Sequence, residues 1–370
     1  MKKLFALMLA LIMSLSLVAC GGGEEAADDG AADGAADAAK VVVFWYDESD
    51  VYLGSVRDAL NKEFEALGIT PDNQFAANNQ TTQLDQINTA IAGGADILVV
   101  NQVTSGASDT AEDIIAAAGD IPVIFFNRAI GTDGSDITVL NANASIAFIG
   151  TDAPAAGHMQ GKMIGDYVVA NYDAIDLNKD GTISYAMMKG DEANVEAIYR
   201  TQFGLEDANA VLTAAGKPEL AYYDAGATTK YHVDMNGTWS NTASFEYMST
   251  ILAQYNPAQG NMVEVVIANN DDMALGAVNA LTNIGYNTGV AGDPVIPVFG
   301  VDATDAAKEL IAAGRMVGTI KQDAEGMADA VAVITANLVA GRDKFEGLNE
   351  NYGIVDGWMV TIPYAKYTGE

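Results

Sequence analysis

Cysteine is almost missing from this chain: there is one in 370 residues, at position 20. A lone cysteine leaves no partner for an intrachain disulfide. Histidine is nearly as scarce, with only His158 and His232, and neither a G-x-S-x-G nor a phosphate-loop pattern occurs. Without such nucleophile, base or phosphate-binding signatures, the chain is read as a binding protein and not an enzyme. Basic residues are few, 18 Lys and Arg against 50 Asp and Glu, for a formal net charge of −32. Phosphate contacts need clustered cations, so nucleic acid and acidic lipid surfaces are excluded as partners. The acidity suits an extracellular protein with an uncharged ligand.

Half of the residues are apolar, enough for two ordinary domains with cores of their own. Lys2 and Lys3 precede an apolar run, Leu4 to Val18, too short for an ordinary membrane span and placed like a signal peptide. The run ends in Leu17-Val18-Ala19-Cys20, which resembles the bacterial lipobox. That resemblance implies a signal peptide over 1–19 and a mature first residue, Cys20, carrying lipid. Several acyl chains on one residue hold a protein at a membrane where a single chain does not. The segment 20–39 is Gly, Ala, Asp and Glu after the cysteine, with nothing to bury, and is expected to be a disordered tether. Localisation follows: extracytoplasmic, anchored to the outer face of the cell membrane in the Gram-positive manner, with membrane contact through the lipid alone.

From Lys40 onward short β-branched runs alternate with helical patterns, the mark of parallel α/β sheets. Strands are expected at Val41–Trp45, Ile97–Val100, Pro122–Phe126, Ile183–Met188, Leu220–Tyr223, Val263–Ala268 and Ile296–Phe299. The intervening helices are Val51–Ala66, Thr81–Ile91, Ala107–Ala118, Asn194–Leu212, Trp239–Gln254, Asp271–Ile284, Ala303–Ala312 and Ala324–Val339. Two successive series of this kind predict two doubly wound parallel-sheet domains with a ligand cleft between them. Ligands of open α/β sheets sit beyond the carboxyl ends of the strands. Those ends are polar here: Asp47-Glu48-Ser49-Asp50, Asn127-Arg128, Asn269-Asn270-Asp271 and Asp302. Asn and Asp also cap helices at such junctions, but gathered at one cleft edge they point to a neutral polar ligand.

At these residues the chain resembles the galactose/glucose-binding proteins of bacterial ABC importers, which have the type I periplasmic-binding-protein fold. The resemblance is carried by Pro122-Val123-Ile124-Phe125-Phe126-Asn127, Gly150-Thr151-Asp152, Asp176-Leu177-Asn178-Lys179-Asp180-Gly181, Glu264 to Asp271 and Pro297 to Ala303, and it extends from about Val41 to Tyr364. It implies three crossings between lobes, with an N-terminal lobe of 40–149 plus 323–356 and a C-terminal lobe of 150–322 plus 357–370. It also implies a monomer that closes on a monosaccharide and presents it to an ABC permease. The same chemistry would serve docking on a chemoreceptor or sensor kinase.

Residue by residue, the resemblance assigns Asp50, Asn127, Asn270 and Asp302 to sugar hydroxyls. It assigns Arg200 to the ring region, and Tyr52 and Trp239 to the two apolar faces of a pyranose. A mixed set of carboxylate, amide and guanidinium groups is what hydroxyls require, since they both donate and accept. Where the family commonly has His, Asp and Asn, this chain has Asn194, Glu196 and Gln322. All three can hydrogen-bond, but their lengths differ, and individual polar mismatches discriminate sugars. Another aldohexose, a glycoside or a pentose therefore stays open. The abundant carboxylates could imitate a glycosidase pair, yet hydroxyl recognition accounts for the same acids.

Asp176-x-Asn178-x-Asp180-Gly181-Thr182-Ile183-Ser184 matches the first nine positions of an EF-hand-type calcium loop, with oxygen donors at alternate residues and glycine at the sharp turn. The twelfth position, Met187, cannot close such a site. In the resembling family a distant glutamate does so, and Glu264 matches it. The expected ion is structural Ca2+.

Overall fold

The computed structural model describes residues 39–132, 140 and 144–369. The expected signal peptide, Cys20 and nearly all of the tether lie outside the described residues. The folded body holds two seven-stranded sheets. In the first, β1 (Val41–Trp45), β2 (Asp72–Phe75), β3 (Ile97–Val100), β4 (Val123–Phe126) and β5 (Ile146–Gly150) run parallel in the order β2-β1-β3-β4-β5. Helices α1 (Val51–Ala66), α2 (Gln80–Ala92) and α3 (Ser108–Ala118) join them.

The second series begins with α4 (Ala153–Ile175), β6 (Ser184–Lys189), α5 (Val195–Ala214), β7 (Ala221–Tyr222) and β8 (His232–Val233). It continues through α6 (Asn241–Gln254), β9 (Val265–Ala268), α7 (Asp271–Thr282), β10 (Val298–Asp302), α8 (Asp305–Ala312) and β11 (Gly318–Lys321). Here β7 and β8 share one edge of β6, and β9, β10 and β11 follow on the other side. Both lobes thus have the doubly wound order in which the first strand lies inside the sheet, with a switch point beside it.

The expected strands of the first lobe, β1, β3 and β4, are legible because both faces of the sheet are covered; β5, equally buried, was not expected. Every residue of β1, β3, β4 and β5 is buried, so each strand is a continuous apolar run. The period of two divides them between cores: Val41, Val43 and Trp45 enter one cluster, Val42 and Phe44 the other. In α1 the buried set Tyr52, Val56, Leu60 and Phe64 recurs every four residues along one face. The pairing of α4 with α5 has another basis. A Cβ placed at Gly161 would lie 2.4 Å from the Phe203 carbonyl oxygen, so the absent side chain lets the two helices touch backbone to backbone.

The chain crosses between lobes three times: between β5 and α4, between β11 and α9 (Ala324–Val339), and near the C-terminus. After α9, which packs in the first core, come β12 (Gly353–Val355), β13 (Met359–Thr361) and β14 (Ala365–Tyr367). β13 pairs parallel with β5, whereas β14 pairs antiparallel with β11. The expectation that 357–370 belong to the C-terminal lobe is therefore corrected: the first lobe extends through Thr361. Burial drives this: Val360 and Ile362 enter one of the first lobe's cores and Trp358 the other. Gly150, expected in the C-terminal lobe, ends β5 of the first.

Candidate functional site

All ten residues assigned to a ligand line one cavity between the lobes: Asp50, Tyr52, Asn127, Asn194, Glu196, Arg200, Trp239, Asn270, Asp302 and Gln322. The cavity is narrow, with a volume of about 30 Å3, so these side chains stand close around it. Tyr46 and Arg128 complete the lining. The residues come from strand ends on both sides of the cleft, where the doubly wound order places a site.

From the first lobe, Asp50 caps α1. Its Oδ1 accepts from the Leu53 amide at 2.9 Å and its Oδ2 from the Tyr46 hydroxyl at 2.7 Å. Burial pushes its carboxyl above the usual range, and the amide and the hydroxyl oppose that rise. Two residues on, Tyr52 is buried with its hydroxyl unpartnered. After β4, Asn127 takes a left-handed backbone at φ 62° and accepts from Asn101 Nδ2 at 3.4 Å. Arg128 lays its guanidinium over the Tyr46 ring, 3.9 Å from the centroid, and reaches across the cleft to Asp191 at 3.3 Å.

From the second lobe, Asn194 is the N-cap of α5, accepting from the amides of Glu196 and Ala197. Arg200, two turns along, is buried. It donates to the Asn269 carbonyl at 3.0 Å, Glu196 at 3.2 Å, Gln322 at 2.7 Å and the Tyr364 hydroxyl at 3.2 Å. Asp302 lies 3.9 Å away. Burial alone would lower the guanidinium's pKa, but Glu196, Tyr364 and Asp302 together hold it raised. Asp302 itself is pushed well up by burial, against the pull of Arg200.

Trp239 was expected to begin a helix. Instead it precedes α6 at φ 58°, with Ser240 as the cap. That backbone turns the indole onto Gly190, where a Cβ would fall 2.1 Å from the ring. Asn270 caps α7 through Oδ1 and donates from Nδ2 to the Trp239 carbonyl at 3.3 Å. Gly190 lets the ring lie close, and Asn270 holds the backbone that carries it.

Sequence reasoning left Tyr46 and Arg128 out of the ligand site. Both stand within two residues of a strand's carboxyl end, and that placement is the signal that marks them. Thr151, which bonds to Glu196, also directly follows a strand, whereas Tyr364, which bonds to Arg200, carries no such signal.

The remaining expected group surrounds Glu264, which is fully buried. Its Oε1 accepts from the Leu177 amide at 2.7 Å and its Oε2 from the Ser184 amide at 2.8 Å. The Ser184 hydroxyl bonds to the Met262 carbonyl and to Glu264. Asp180 accepts from Asn178 Nδ2 at 2.9 Å and from the Thr182 amide at 2.8 Å. Asp176 accepts from the Gly181 amide through Oδ2, while its Oδ1 is buried without a partner. Among the described residues no cluster of three or more His, Cys, Asp or Glu is arranged to hold a metal. The loop closes on Glu264 through amides, although its donors are the oxygens a hard cation takes.

The Periplasmic binding protein domain matches residues 41–343. The chain belongs to that family. Among its relatives, the D-galactose/methyl-galactoside binding periplasmic protein of Haemophilus influenzae is 30% identical over 331 residues, 88% of this chain and 87% of that one. The D-xylose-binding periplasmic protein of Escherichia coli is 26% identical, covering 81% of this chain and 78% of its own. An ABC transporter solute binding protein from Bacillus halodurans, solved with bound myo-inositol, superposes with a TM-score of 0.65 at 23% identity, covering 90% and 95% of the two chains. These relatives are binding proteins, and this periplasmic binding protein is likewise a carrier of a ligand and not an enzyme.

Proposed function

We propose that this periplasmic binding protein captures a monosaccharide of the D-galactose or D-glucose type and delivers it to an ABC importer when its lobes close. One observation carries the reading. Four buried side-chain atoms without partners, Tyr52 Oη, Arg128 Nε, Arg200 Nε and Gln322 Nε2, all belong to residues lining the cavity. An unpaired buried polar atom costs about 1–3 kcal/mol, and a polyhydroxylated ligand relieves several at once. The same hydroxyls donate to Asp50 and Asp302, while Tyr52 and Trp239 offer flat apolar surface to a sugar's C–H faces. Asp50, Glu196 and Asp302 outnumber Arg128 and Arg200, leaving no surplus positive charge for an anionic ligand. The galactoside-binding and myo-inositol-bound relatives carry ligands of this neutral, hydroxyl-rich kind.

Three further parts belong to this reading. Cys20 carries the lipid that tethers the protein outside the membrane. The loop of Asp176, Asn178, Asp180, Thr182 and Ser184, closed by Glu264, takes a structural Ca2+; the unpartnered Asp176 Oδ1 and the oxygen-only donor set support it. The permease recognises the closed form, which the ligand stabilises by touching both lobes.

Calorimetry against free monosaccharides tests the function. The expected result is one-to-one binding of galactose or glucose, tighter than that of xylose or ribose. No heat and no thermal shift with any monosaccharide overturns it.

A further inference from the structure

Arg200 is the centre of a network that reaches all three crossings between the lobes. Thr151 lies in the first, directly after β5; Gln322 lies in the second, between β11 and α9; Tyr364 lies in the third, between β13 and β14. Arg200 Nη2 donates to Gln322 Oε1 at 2.7 Å and to Tyr364 Oη at 3.2 Å. Tyr364 Oη meets Thr151 Oγ1 at 2.8 Å, and Thr151 Oγ1 donates to Glu196 Oε1 at 3.1 Å. Glu196 Oε2 returns to Arg200 at 3.2 Å. The circuit is closed, and Arg200, Glu196 and Gln322 are also cavity residues.

We infer that Tyr364 and Thr151 are positioning residues of the ligand site, through which the three interlobe strands are locked to the orientation of Arg200 and Glu196. This rests on the proposed sugar-binding reading. Lobe rotation changes backbone angles at Thr151, Gln322 and Tyr364 together, because these are the segments that join the lobes. A network binding all three to one guanidinium has an intact form in one range of interlobe angles only. A ligand oxygen that engages the unpartnered Arg200 Nε holds the guanidinium in place and with it the hinge. Glu196 stands where the resembling family commonly has Asp, and its longer arm spans from Arg200 to Thr151. Ligand contact and hinge geometry are then two readings of one side-chain arrangement.

The test uses Tyr364→Phe, which keeps the ring and removes only the hydroxyl, with Thr151→Val as a second variant. Fluorophores go on cysteines introduced at exposed Glu65 and Glu246 of a Cys20→Ser chain, one on each lobe. Expected are a broadened interlobe distance distribution in both variants, with and without galactose or glucose, and roughly tenfold faster sugar release in Tyr364→Phe. A double variant no worse than either single one is also expected, since both break one circuit. Distance distributions and release rates equal to the parent in both variants overturn the inference. If the parent binds no monosaccharide, the sugar reading fails separately, and the ligand-free distributions still decide this one.

Discussion

Asp302 faces the cavity from a turn that Asp271 anchors. The backbone turns left-handed at Asp302 (φ 122°) and Ala303 (φ 57°), a conformation that side chains with a Cβ hold only when their surroundings enforce it. Asp271 supplies the enforcement: its Oδ2 accepts from the Thr304 amide at 2.8 Å and its Oδ1 from the Thr319 hydroxyl at 2.7 Å. Complete burial raises the Asp271 carboxyl from an ordinary 3.8 to about 7, against those hydrogen bonds. A carboxyl with a raised folded-state pKa contributes stability that is present below pH ~4 and lost as pH climbs through ~7. Asp271→Asn removes that loss, so its stability relative to the parent should improve by up to ~1.4 kcal/mol per pH unit across this window. Urea denaturation at pH 4.5 and 7.5 measures it, and a difference that stays constant with pH refutes it. Residue-scale chemistry of this sort was only partly visible beforehand. The Asn and Asp at strand ends were legible because they gather at one cleft edge, although Asp50, Asn194 and Asn270 also cap helices there. The link between Tyr364 and Thr151 was not, because a hinge network joins residues far apart in sequence, and no local spacing records it.

At the scale of elements, β1, β3, β4 and α1 stood out because each buries a continuous run or one regular face. The misses share a physical cause. β2 is the polar edge strand Asp72–Phe75, half-buried at most, so it lacks an apolar run. α4 carries Gly157, Gly161 and Gly165 on its contact face, and glycine argues against helix by propensity, although here it permits close packing. β11, Gly318–Lys321, opens on glycine and ends on lysine. The 176–184 loop was read from spacing, and its chemistry gives an element-scale prediction. If it takes Ca2+, chelation lowers the melting temperature of the parent but leaves Asp180→Ala unmoved, since a stabilising ligand acts only where it binds. Thermal melts with and without EDTA check this, and equal sensitivity of the two proteins refutes it.

At the scale of the whole molecule, contacts among the described residues bridge the cleft. Asn78 Nδ2 donates to the Asn236 carbonyl at 2.6 Å, and Arg128 pairs with Asp191 at 3.3 Å. Arg128 is buried and Asp191 is partly exposed, with 23% of its side-chain surface accessible, so the pair contributes about 1 kcal/mol, the upper end for a bridge with a solvent-accessible partner. Asp191→Ala should therefore quicken sugar release by no more than about fivefold, and the gap should shrink at high salt as screening weakens the pair. Stopped-flow release at two ionic strengths tests this; a salt-independent gap, or none, contradicts it. The late third crossing also bears on how the body is assembled. β5 ends at Gly150, yet the strand beside it starts at Met359; β11 ends at Lys321, yet its outer neighbour starts at Ala365. During synthesis each sheet keeps an unpaired edge until residues beyond 359 have emerged. Neither half can mature far ahead of the other, and a chain cut short before β13 would present both edges to any neighbouring strand.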